Sequence, residues 1–164
     1  EKRFEHGELY SADSIHFADS LKYYTLRKHR VVYGGGGIMP DVFVPLDTTQ
    51  YTKFLRQMAA RSYIINANLK YIDVNRKQLK KQFATFNDFN ARFEVPQSLI
   101  DDVVQAAEKD KIKPKDQQEL QATLPQLRRQ LKALIARDLW DMSEYFQVIN
   151  ETNPIVVKAV GLLK

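Results

Sequence analysis

The side chains that could do chemistry in this chain are few and badly spaced for it. Its three histidines, His6, His16 and His29, all fall in the first thirty residues, with no carboxylate at metal-ligand spacing and no His-Glu-x-x-His helix. Serines at 11, 14, 20, 62, 98 and 143 sit in turn-like, cap-like or helix-like surroundings, and none lies in a Gly-x-Ser-x-Gly elbow. Ser14-Ile15-His16 is a chance-level pairing. Asp101 and Asp102 are adjacent, so a helix would aim them to different sides rather than at one substrate. With no cysteine, disulfides, thiolate metal sites and a cysteine nucleophile are all excluded. We find no set of nucleophile, base and oxyanion donors. The reading is no catalytic residue, no metal ligand and no cofactor-binding residue, and a chain inactive by itself.

The one stretch of unusual local chemistry is Gly34-Gly35-Gly36-Gly37, followed by Ile38-Met39-Pro40-Asp41. Four successive glycines imply positive φ or close approach of backbone. Successive amides could cradle an anion. Against that, the run lacks a Gly-Lys-Ser/Thr ending and Gly-x-Gly-x-x-Gly spacing, and no helix start follows it. The expectation is a structural Gly-rich motif, Gly34, Gly35, Gly36, Gly37, Pro40 and Asp41, at a domain junction.

The elements that position this motif are short β-type runs. Strands are expected at about 21–27, 30–33 and 41–45, the first two as an antiparallel hairpin whose basic tip, Arg27-Lys28-His29-Arg30, is a solvated turn. Pro40 and Pro45 bound the third run and make it an edge or terminating strand. Residues before Leu21 read as a polar lead-in with at most one short helical turn.

Everything after Pro45 reads as helix. Asp47 or Thr48 could cap a first helix carrying Phe54, Leu55 and Met58. A second apolar pattern runs from Ile64 to Leu79, with Arg76-Lys77-Lys80-Lys81 as its wet face. Phe83, Phe86, Phe89 and Phe93 fall on one helical stripe, suited to core packing or to gripping a peptide. Pro96 opens a helix with Leu99, Ile100, Val103, Val104 and Ala107. Lys109–Lys115 is an exposed loop without an apolar face. Asp116 caps a short helix, and Thr123 with Pro125 marks another start. One apolar stripe then runs from Leu124 through Leu139 to Ile149, about seven turns, with Trp140 beside it as packing. Asn153-Pro154 caps a last helix rich in valine and leucine. The fold class is α+β, mainly α: a β-hairpin segment over 1–47 and a multi-helix bundle over 48–164.

Composition agrees with an ordered domain. The 164 residues are 44% hydrophobic and 27% charged, the balance of a folded chain rather than a disordered one. The formal charge of +5 is spread among acids, as on a solvated helical surface, which argues against nucleic acid as a partner. No apolar run reaches the roughly 18 residues that a membrane span needs. The chain begins at Glu1 rather than Met, so we expect a processed or excised piece, and the absence of a secretory pattern says nothing about compartment.

The string Arg-Val-Val-Tyr-Gly-Gly-Gly-Gly-Ile-Met-Pro-Asp, Arg30 to Asp41, resembles the segment closing the peptidase core in the carboxyl-terminal processing peptidases, the tail-specific serine proteases. The following Val-Phe-Val-Pro-Leu-Asp, and Ala136 to Phe146, are similar to the family branch found in Bacteroides-type bacteria. The resemblance implies a parent that is an exported serine endopeptidase, periplasmic or in the cell envelope, with a Ser–Lys dyad acting on proteins near their C-termini. In such a dyad the lysine must be neutral to take the serine proton. That serine, that lysine and a peptide-binding PDZ module are expected upstream, so no catalytic residue is carried onto this chain. Residues 1–47 would close the peptidase core. Residues 48–164 would be a helical C-terminal domain that is structural, oligomerising or substrate-guiding. The implied partners are the upstream core, protein substrates with exposed C-termini, and further copies of the chain. The competing reading is an independent helical protein-binding module.

Overall fold

The computed structural model describes residues 19–34, 42–45 and 51–163. The chain divides into two compact units, Glu1–Asp47 and Thr48–Lys164. The architecture is α+β and mainly α, with a two-stranded antiparallel sheet near the N-terminal end and seven α-helices among the described residues.

In the first unit a 3₁₀ turn, Asp19–Leu21, leads into β1 (Lys22–Tyr24), which pairs with β2 (Val31–Tyr33). The register sets Lys22 opposite Tyr33, Tyr23 opposite Val32 and Tyr24 opposite Val31. Thr25 closes the turn twice: its N–H donates to the Arg30 carbonyl at 3.0 Å, and its hydroxyl accepts from the Arg30 N–H at 3.0 Å. His29 takes the left-handed conformation at φ 47°. The tip is exposed, as expected of a basic turn. The strands are shorter than 21–27 and 30–33 because the turn claims Thr25 to Arg30. The strand expected at 41–45 is not formed over 42–45, where Val42 is a bend and the next three residues are irregular. Pro45 has no N–H to give a ladder, and no strand pairs with Val42-Phe43-Val44 among the described residues.

The second unit is built on α1 (Lys53–Ala60), α2 (Tyr63–Gln82), α3 (Phe86–Arg92), α4 (Gln97–Lys109), α5 (Gln117–Leu139), α6 (Met142–Asn150) and α7 (Pro154–Leu162). Helix α5 is the axle: α1, α2, α4 and α6 all pack on it. Its buried side chains include Leu127, Leu131, Leu134, Ile135 and Leu139, the stripe read from the sequence. They meet Phe54, Leu55 and Met58 of α1, Ile64 and Ile72 of α2, and Leu99, Ile100 and Val103 of α4 in one core.

Several helix boundaries differ from the sequence reading. The N-cap of α1 is Thr52, whose hydroxyl accepts from the Leu55 N–H at 3.2 Å. Asp47 and Thr48 lie outside the described residues. Asp116 caps α5 as expected, accepting the Glu119 N–H at 2.8 Å, but the helix is not short: it runs on to Leu139 with Pro125 exposed inside it, so Thr123 and Pro125 do not begin another. The seven-turn stripe is broken after Leu139. Trp140 has φ −123° and ψ −94°, and Asp141 is extended and caps α6 through the Met142 N–H at 2.6 Å. Past that break Val148 faces the core, while Met142 and Phe146 face out.

The four phenylalanines are core, not one helix face. Phe83 ends α2, Phe86 and Phe89 lie in α3, and Phe93 follows it. Phe89 stacks on Phe93 at 4.5 Å and meets Phe83 edge-on at 5.5 Å, with Trp140 closing the cluster at 5.3 Å. Thr85 caps α3 by accepting the Asp88 N–H, and Asp88 pairs with Arg92 one turn on. The loop after Lys109 has an apolar anchor after all: Ile112 is buried.

Candidate functional site

Each candidate is held by local chemistry that can be traced to its residues. Of the Gly-rich motif, only Gly34 lies within the described residues; Gly35, Gly36, Gly37, Pro40 and Asp41 lie outside them. The Gly34 N–H donates to the Leu21 carbonyl at 2.8 Å, extending the hairpin by one bond. A Cβ at Gly34 would stand 2.9 Å from the Tyr23 ring, so the glycine lets that ring lie against the backbone. The hairpin is otherwise bare: Tyr23, Tyr24, Val31 and Val32 are exposed, and Leu26 almost wholly so. Backbone groups on the outer edges of such a ribbon are a template for further strands.

In the helical unit, the most elaborate polar arrangement fastens the start of α1 to α5. Glu119 accepts the Phe54 N–H at 3.0 Å through one carboxylate oxygen and the Lys115 N–H at 2.7 Å through the other. These amides, Lys115 first, hold its carboxyl below the usual glutamate range. Beside it the hydroxyls of Thr52 and Thr123 meet at 2.6 Å, and Thr123 also donates to the Glu119 carbonyl at 2.7 Å. One carboxylate thus serves two helix N-termini, where negative charge is favoured. A second knot joins α2 to α5. Buried Asn68 donates to the Asp138 carboxylate at 2.6 Å, Asp138 pairs with Arg137, and Arg76 reaches the Asp138 carbonyl. The Asn68 amide oxygen has no hydrogen-bond partner among the described residues. A third knot gathers α3, α5 and the end of α6. Lys132 donates to the Asn90 carbonyl at 2.7 Å, and Asn90 donates to Glu151. Desolvation lowers the Lys132 pKa, opposed by Glu151 and Glu94.

Between α2 and α4 runs an open groove of about 590 Å³. Its lining includes Ala67, Ala106, Lys70, Tyr71, Asp102 and Lys109. Burial pushes the Tyr71 phenol up. At one end the Tyr63 hydroxyl donates to Asp110, which, first among several causes, raises its pKa. The basic face Arg76-Lys77-Lys80-Lys81 is exposed.

Among the described residues, no three histidine or carboxylate side chains gather as a metal site. Ser98 is exposed on α4, Ser143 donates to Glu144, and Ser62 starts α2 in the left-handed conformation at φ 63°. His29 lies at the hairpin tip, in the other unit. The described surface carries strand edges, a groove of mixed polar and apolar lining and an exposed apolar helix.

A family model described as a family of unknown function, DUF8443, matches residues 54–141. The chain belongs to that family. The matched segment is α1 to α5 and ends on Asp141, the residue that caps α6. No curated protein and no solved structure matches the chain.

The polar fastenings were missed from sequence, although one carried a signal. Asp116 and Glu119 have the spacing of a capping box, with the carboxylate three residues into the helix. Nothing in the spacing of Asn68 and Asp138 announces their meeting, which depends on how α2 and α5 cross.

Proposed function

We propose that this chain is the C-terminal, non-catalytic part of an exported serine endopeptidase of the carboxyl-terminal processing kind. In this reading Leu21 to Pro45 adds strands to the core sheet of the peptidase. The DUF8443 helices form an appended domain that braces the core or guides substrate. The observation that supports it is the bare hairpin. A lone two-stranded ribbon with exposed faces is marginal in water and needs a third strand or a packed face. Lys22–Tyr24 and Val31–Tyr33 have exposed side chains on nearly every position, so the ribbon calls for strands from elsewhere. The partners in this reading are the upstream core, with its serine and lysine, and protein substrates with exposed C-termini in the periplasm or cell envelope.

The test is the reading frame upstream of Glu1, expressed together with this chain. A frame that supplies a serine and a lysine, and a product that cleaves a reporter protein near its C-terminus and loses this on serine to alanine, supports the reading. A frame without that serine and lysine contradicts it and leaves a helical protein-binding module. The α2–α4 groove, with its mixed polar and apolar lining, is the feature that favours this second reading.

A further inference from the structure

The connector from α4 to α5 reads Lys-Asp-Lys-Ile-Lys-Pro-Lys over 109–115, and backbone bonds hold it at both ends. At its start the Lys111 N–H donates to the Glu108 carbonyl at 2.9 Å and the Ile112 N–H to the Ala107 carbonyl at 3.0 Å. Such a helix ending needs a left-handed residue, a place glycine commonly takes, and here Lys111 takes it at φ 62°. Ile112 is buried, and at the far end the Lys115 N–H donates to Glu119 at 2.7 Å. Between these anchors Lys111, Lys113 and Lys115, at alternate positions, line a pocket of about 280 Å³ together with Lys53 of α1. Glu119 is the one carboxylate among the described lining residues, and both of its oxygens already accept backbone amides. Lys115 has Asp116 at 3.9 Å, whereas Lys53, Lys111 and Lys113 are exposed and make no ion pair among the described residues. Like charges gathered round one pocket repel one another, and an anion among them removes that cost.

We propose that this pocket binds a short acidic segment of a polypeptide, whose carboxylates meet the ammonium groups of Lys53, Lys111, Lys113 and Lys115. Charge complementarity carries the argument. Four cations converge on one concave site from two separate parts of the chain, and the single acid there is engaged by helix amides. Phe54 and Ile112 also belong to the lining but are almost wholly buried, which leaves recognition to charge. A small phosphate is the poorer ligand. The described lining holds no arginine, so no planar fork is offered. The Phe54 and Leu55 amides at the start of α1 are taken by Glu119 and Thr52, so that helix end does not cradle an anion. Ammonium groups on flexible stems suit carboxylates that are themselves on separate mobile side chains. Nucleic acid fits less well again. Its phosphates follow one another along a strand, whereas Asp110 and Asp116 stand at the two ends of the lysine run and keep the patch short. The inference does not depend on the protease reading.

Fluorescence anisotropy of a labelled Glu-Asp-Glu-Glu-Asp-Glu peptide, titrated with the Glu1–Lys164 chain at low salt, tests this. Saturable binding is expected, weakening as salt rises because the lysines are exposed. The same peptide with Gln and Asn in place of its acids should not bind. Lys53→Gln and Lys113→Gln should each weaken binding about two- to fivefold with helix content unchanged. Lys77→Gln combined with Lys80→Gln removes charge from the basic face of α2, outside the pocket, and should leave the affinity as it was. Absence of saturable binding overturns the proposal. So does a loss in the Lys77 and Lys80 variant equal to that in the pocket variants, which would mean attraction by net charge alone. Tighter binding of a deoxythymidine oligonucleotide of equal charge, or displacement of the peptide by inorganic phosphate beyond that by sodium chloride at the same ionic strength, overturns it as well.

Discussion

Glu119 shows how much one side chain can hold. Its carboxylate takes amides from the start of α1 and from the residue before the α5 cap, so Glu119→Ala should release two helix ends at once. Loss of one helix-capping side chain costs about 0.5–2 kcal/mol, and the upper part of that range is expected here. The change should appear as a lower midpoint in urea with unchanged slope. Its pH dependence has a definite sign. A carboxyl whose folded pKa is depressed contributes stability that is present above its unfolded pKa and lost as pH falls through the folded value. The gap between wild type and Glu119→Gln should therefore be full at neutral pH and close below the ordinary glutamate range. A gap that widens in acid would contradict the assignment. Phe89 is the comparable residue of the apolar core. It is wholly buried, stacked on Phe93 and touched by Phe83 and Trp140, so Phe89→Ala should cost about 3–5 kcal/mol in chemical denaturation.

At the scale of elements, periodicity was a good guide wherever a helix buries one face. The α5 stripe from Leu127 to Leu139, the α4 set Leu99, Ile100, Val103 and Ala107, and the Asn153-Pro154 start of α7 were all legible. The failures come from local backbone competition. Pro125 looks like a helix start, yet tertiary packing of Thr123 and Leu127 on either side carries α5 through it. A proline there removes one intrahelical hydrogen bond, so Pro125→Ala should stabilise the unit by about 1–3 kcal/mol in thermal melts. At Trp140-Asp141 the opposite happened. The apolar pattern continues in register, but the Asp141 carboxylate begins a new helix, turns the stripe and leaves Phe146 in water. Val42-Phe43-Val44 failed as a strand for a related reason: β-branched residues make a strand only when a neighbour supplies the ladder, and no such neighbour is among the described residues. Ile112 was hidden among lysines and could be placed only once the fold of α4 onto α5 was known.

At the scale of the whole molecule, the described residues comprise a two-stranded ribbon with mostly exposed side chains and a helical unit with a buried core. The helical unit has its own core, centred on α5 and spanning the segment that defines the DUF8443 family. Its fold class was readable from the sequence because binary patterning alone distinguishes helix from strand. The exposure of the hairpin and of α7 was not readable, since it depends on what each element fails to meet among the described residues. Hydrogen exchange on the Glu1–Lys164 chain tests the central claim, that the ribbon is completed from outside. The amides of Thr25 and Gly34, both hydrogen-bonded within the ribbon, should exchange within seconds to minutes, while those in the middle of α2 and α5 persist for hours. Protection of Thr25 and Gly34 equal to that of α5 would mean the ribbon needs no further strands, and the account of this chain as the closing part of a larger sheet would be contradicted.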